Sequence, residues 1–119
     1  MARLSARFLL TDVGEPQYVE VDGRTHYWIR LSVSGAPEDA RAVTYELDET
    51  FRQPTRESDD RSRDFAVDIT SYGDFRVRAS FAGGEHAPLR ASLATLLAAE
   101  HGFDQERSIR WALASIGGQ

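Results

Sequence analysis

A chain of 119 residues, 41% hydrophobic and 28% charged, is long enough for one packed core and too short for two. Its net charge is −5, every basic residue is arginine and cysteine is absent, which excludes a disulfide framework and a thiolate metal site. The arginines are scattered, without the basic stripe of a nucleic-acid binder; there is no apolar run of about 18 residues, and the first residues do not read as a charged-then-apolar signal peptide. A cytoplasmic protein with neither nucleic acid nor membrane as partner is expected. Arginine and alanine richness without lysine suggests a bacterial coding sequence.

In chain order, Leu4, Ala6, Phe8 and Leu10 alternate with Arg3, Ser5, Arg7 and Leu9, which predicts a strand over Ala2 to Thr11. Gly14, Glu15 and Pro16 turn the chain into a short strand, Gln17 to Val21. Asp22-Gly23 is a two-residue hairpin signal, since both central positions need positive φ. The returning strand, Tyr27 to Val33, turns Tyr27, Ile29, Leu31 and Val33 to the core, with Trp28 expected to be buried on the other face. After a loop at Gly35 to Asp39, Ala42 to Leu47 predicts a further strand, and Pro54 to Asp64 a long polar connection. Phe65 to Ile69 and Asp74 to Ala82 are the last strands, with Phe75, Val77, Ala79 and Phe81 on a buried face. Six or seven short strands with regularly spaced turns argue a mainly β fold, an antiparallel β-sandwich.

The pattern changes at the Gly83-Gly84 hinge. Leu89, Leu93, Leu96 and Leu97 fall on one helical face, with Pro88 in the first turn and Gly102 at the end. Asp104 is placed to cap a second helix with the stripe Ile109, Ala112, Leu113 and Ile116. Trp111 lies opposite that stripe, either as core on a helix buried twice or as a partner-facing anchor. The chain thus divides into a sandwich, 1–84, and a C-terminal helical hairpin, 85–119.

No catalytic constellation stands out. His26, His86 and His101 lack metal-ligand spacing, Gly83-Gly84 lacks the context of a phosphate loop, and no serine sits in a nucleophile elbow. Neither a cofactor, a metal nor enzymatic activity is expected. Recognition is the remaining class.

Three stretches then carry a resemblance. Val21-Asp22-Gly23-Arg24-Thr25-His26-Tyr27-Trp28 resembles the first-loop segment of YEATS domains. Val43 to Phe51, with Pro54 three residues on, is similar to that family's strand ending in a hydroxyl–Phe turn. Ser71-Tyr72-Gly73-Asp74-Phe75 is similar to its Gly-aromatic-Gly-Glu-Phe turn. The resemblance covers Ala2 to Ala82 and points to the prokaryotic YEATS-like branch.

It implies an immunoglobulin-like sandwich that reads acylated lysine at the loop end, as a sensor or adaptor part of signalling or defence systems. Carried over by position, Thr50 would hydrogen-bond the acyl amide, Phe51 and Tyr72 would sandwich it, and Phe75 would close the far side. Backbone N–H groups at Tyr72-Gly73 would donate to it. Asp48 stands where histone-reading members usually have histidine, and Arg24 where they often have an aromatic. Ionised, Asp48 favours a cation over a neutral amide, with Arg24 placed to pair with it and narrow the site.

The residues by themselves leave alternatives open. Thr50 can make a local backbone bond, Tyr72 and Phe75 can be plain core aromatics, and His26 can organise its loop rather than touch a ligand. The partner implied is a protein or modified-lysine peptide. The second reading is a non-catalytic assembly module that self-associates through the C-terminal helices around Trp111.

Overall fold

The computed structural model describes residues 1–118. Eight strands form two antiparallel four-stranded sheets, followed by two helices. The first sheet contains β1 (Arg3–Phe8), β2 (Tyr18–Val21), β3 (Arg24–Ser34) and β6 (Val67–Ser71). The second has the order β5 (Thr55–Ser58), β4 (Ala42–Glu46), β7 (Arg76–Ala82), β8 (Leu89–Ser92). The fold is a mainly β antiparallel sandwich with two C-terminal helices, as the sequence patterning indicates.

β3 organises the first sheet. It pairs with β1 and β2 in succession and with β6 as well. Its alternation holds without a break: Tyr27, Ile29, Leu31 and Val33 are all buried. They meet Leu4, Ala6 and Phe8 of β1 and Val67 and Ile69 of β6 in one core, completed by Val43, Tyr45, Val77 and Ala79 of the second sheet. The hairpin turn takes the conformation its residues suggest, with φ 52° at Asp22 and 78° at Gly23. Trp28, expected in the core, is half-buried on the outer face. Beside it Arg30 forks onto Asp68, with Nε–Oδ1 2.8 Å and Nη2–Oδ2 3.1 Å.

Several elements differ from the sequence expectation. The first strand ends at Phe8, and Leu10 keeps a lone bridge to Pro16. The stretch expected as a long polar connection contains β5 and a 3₁₀ turn over Arg61–Arg63. β5 buries no apolar residue, so alternation cannot reveal it; its backbone pairing to β4 makes it a strand. Phe65 lies outside β6, with φ 56° directly after Asp64 at 51°. Both left-handed residues turn the Phe65 ring into the core, and its carbonyl accepts the Tyr45 hydroxyl at 2.8 Å. Phe75 precedes β7, and Phe75 and Phe81 are half-buried rather than fully enclosed.

Past Gly83-Gly84 the sheet continues. A Cβ on Gly83 would stand 2.3 Å from the Asp39 carbonyl oxygen, so the tight turn excludes any larger residue. Leu89, expected on a helix, lies in β8 opposite Ala79, because pairing with β7 outweighs its helical spacing. Helix α1 (Leu93–His101) begins at Ser92, whose Oγ accepts from the Thr95 N–H, and ends at Gly102. Helix α2 (Arg107–Gly117) is capped by Glu106, which accepts from the Ile109 N–H, rather than by Asp104. Ile109, Ala112 and Ile116 are buried as expected.

Asp104 instead binds His101, which ties the helices to the sandwich. The buried imidazole accepts the Phe8 N–H at Nε2 (3.0 Å) and meets Asp104 Oδ2 at Nδ1 (2.8 Å). The backbone donor requires a bare Nε2, so the ring proton sits on Nδ1 and is donated to the carboxylate. This satisfies an N–H on strand β1, which α1 packs against.

Two consequences are open to measurement. Tyr45→Phe leaves the buried Phe65 carbonyl without its donor and should cost about 1–3 kcal/mol in urea unfolding. Hydrogen bonding to Arg30 holds the Asp68 carboxyl below the usual carboxylate range. Its contribution is therefore present above the unfolded value of about 3.9 and lost as pH falls through the lower folded value. Asp68→Asn should flatten that acid limb while lowering stability near neutrality.

Candidate functional site

Two segments far apart in the chain meet at one end of the sandwich. After β4, Asp48 folds back on Thr50, whose N–H and hydroxyl both donate to Asp48 Oδ1, at 2.9 and 2.8 Å. This Asx-type turn presents Phe51. After β6, Ser71 makes the second turn: its buried hydroxyl donates to the Gly73 carbonyl at 2.7 Å and accepts the Gly73 N–H at 3.3 Å. Tyr72 is thereby pushed outward, 39% exposed.

The second loop is braced by the helical region. Asp74 Oδ1 accepts the Ala94 N–H at 2.8 Å, and the Phe75 carbonyl accepts the Leu93 N–H at 2.8 Å. Both donors belong to the first turn of α1 and lack partners within the helix.

Arg24, His26, Asp48, Thr50, Phe51, Tyr72, Gly73 and Phe75, the eight candidates named from sequence, all line one cavity of about 740 Å³. The rings are arranged in pairs. Phe51 meets Phe75 edge to face, centroids 4.9 Å apart, and His26 lies 5.2 Å from Tyr72. The Arg24 guanidinium sits over the Tyr72 ring, 4.6 Å from its centroid. Arg24 and Asp48, expected to pair, form no ion pair: Asp48 is taken up by Thr50 and Arg24 by Tyr72. Gly73 is buried with its N–H on Ser71, so it does not offer a free donor. The Tyr72 N–H makes none of the hydrogen bonds found among the described residues.

Sequence reasoning missed Ser71, Arg52 and Asp74, which line the same cavity. A serine two residues before a glycine is a local turn signal that could have marked Ser71. The Asp74 contact depends on α1 and had no such signal. Trp111 lies outside this cavity and is 73% exposed. Among the described residues, no group of three or more His, Asp or Glu side chains could hold a metal ion. None of the helices described is long and apolar enough to cross a membrane.

The two loop-end turns thus gather aromatic rings and a hydroxyl into one cavity at an end of a β-sandwich. The chain belongs to the prokaryotic YEATS domain family, whose model matches residues 27–93, more than half of its length. Thr50, Phe51, Tyr72 and Phe75 fall inside the matched residues; Arg24 and His26 precede them. No curated protein matches the chain. Membership points to a reader or adaptor role.

The Asp48 turn yields a direct test. Hydrogen bonds from the Thr50 N–H and then its hydroxyl hold the Asp48 carboxyl below the usual carboxylate range. Its ordering of the turn is present above the ordinary value of about 3.9 and is lost as pH falls through the lower folded one. In a carboxyl NMR titration, Thr50→Val should move the midpoint only part of the way back, since the N–H remains.

Proposed function

We propose that this domain binds an acylated lysine, or a similar modified side chain, on a bacterial partner protein as a sensor or adaptor. The observation that carries the reading is the convergence of Thr50, Phe51, Tyr72 and Phe75 on one cavity. Acylation removes the lysine charge and leaves a flat amide with one donor and one acceptor. That amide can stack against Phe51 and Tyr72. The Thr50 hydroxyl gives its proton to Asp48, so its oxygen is left to accept the amide N–H. The Tyr72 N–H is the matching donor for the acyl carbonyl.

Discrimination follows from desolvation. An unmodified ammonium would give up its hydration between the rings, in a cavity that Arg24 and Arg52 also line. Asp48 opposes this by favouring a cation, but its carboxylate already holds two donors. Arg24 competes with the amide for the Tyr72 ring, which sets affinity below what bare rings would provide.

The test is a calorimetric titration with acetyl-lysine, crotonyl-lysine and unmodified peptides of one sequence. The acylated peptides should bind at least about tenfold more tightly, about 1.4 kcal/mol, and Tyr72→Ala should erase the difference. Equal affinities for the wild type would overturn the reader role and leave the assembly module as the reading of the chain.

A further inference from the structure

A second cleft lies on the other side of the β2–β3 hairpin. Strand alternation turns Arg24 and His26 toward the first cavity and Thr25 and Tyr27 toward this one. Across from them the start of α2 brings up Glu106 and Trp111, and with Tyr18 and Glu20 they border about 580 Å³. Trp111 is 73% exposed and Tyr18 59%, although α2 buries Ile109, Ala112 and Ile116 on its opposite side. Single exposed aromatics are ordinary; two along one concavity mark a contact surface.

The charge there is predominantly of one sign. Glu15, Glu20 and Glu106 line the cleft against Arg107. Glu106 is occupied in capping α2, and Glu20 accepts the Thr25 hydroxyl at 2.8 Å with lone pairs to spare. The Glu15 carboxylate makes none of the hydrogen bonds found among the described residues. Aromatic faces attract a cation through their quadrupole, and carboxylates attract it through charge. Beside the cleft, β2 ends the strand path and all four of its residues are exposed, leaving an edge on which an extended chain can add.

We propose that this cleft docks an extended, arginine- or lysine-bearing segment of a partner protein, its cationic side chain held by Trp111, Tyr18, Glu15 and Glu20. A second copy of the chain is the poorer occupant, because two bodies of charge −5 repel. The site is independent of the acyl-lysine reading.

The experiment is fluorescence anisotropy of a labelled, end-blocked peptide of alternating glycine and arginine, titrated with the full chain at two salt concentrations. Saturable binding that weakens with salt is expected, with about tenfold loss in Trp111→Ala and in the Glu15→Gln/Glu20→Gln double variant. Trp111→Phe, which keeps a ring, should retain most of the affinity, and a glutamine-for-arginine peptide should not bind. Unfolding midpoints close to wild type would assign these losses to the cleft. Undiminished binding by Trp111→Ala, equal binding of the glutamine peptide, or loss of binding together with the fold in both Trp111 variants would overturn the proposal. So would a doubling of mass in solution that Trp111→Ala abolishes, which would assign the cleft to a second copy.

Discussion

The two-residue period of β3 is the constraint on which the rest of this structure depends. A strand that buries Tyr27, Ile29, Leu31 and Val33 in turn has no freedom of register, since a slip of one residue would expose all four at once. The Asp22-Gly23 turn sets the same register from the other end, because two positive φ angles pair Val21 with Arg24 and nothing else. Beyond the core, the same period continues into the hairpin. There it hands alternate side chains to the concavities on its two sides.

The cavity at the loop end is a product of several small local devices. Asp48 closes one turn and Ser71 the other, each with its own side chain on nearby backbone. Neither turn is held by apolar packing alone, so the rings they carry can stay at the surface. The helical region takes part as well: the first turn of α1 donates two otherwise unsatisfied N–H groups to Asp74 and Phe75. The start of α1 thus supports the turn bearing Tyr72.

The same economy of unsatisfied groups explains how the helices stay attached. His101 satisfies the Phe8 N–H of β1 while Asp104 orients its ring, and Leu93 and Leu97 fill the core beneath. The helices thereby leave a face of α2 with Trp111 opposite the hairpin. The domain carries an aromatic cavity of mixed charge on one side of a two-stranded ribbon and an acidic aromatic cleft on the other.

Much of the sandwich was legible in the chain, because strand periodicity and turn chemistry are local properties, whereas the eight cavity candidates came from the resemblance to YEATS domains. A hydroxyl–Phe turn or a Tyr-Gly-Asp-Phe turn announces itself within five residues. The sequence by itself thus determined the main strands, the Asp22-Gly23 hairpin and the apolar stripe of α2. Only the tertiary structure decided that Thr55–Ser58 and Leu89–Ser92 are strands, since their state comes from the partner each lies against. It also decided that Asp48 serves Thr50 rather than Arg24, that Glu106 rather than Asp104 caps α2, and that Trp111 faces water. Each of these is a choice among competing partners, settled by distances that no local pattern encodes.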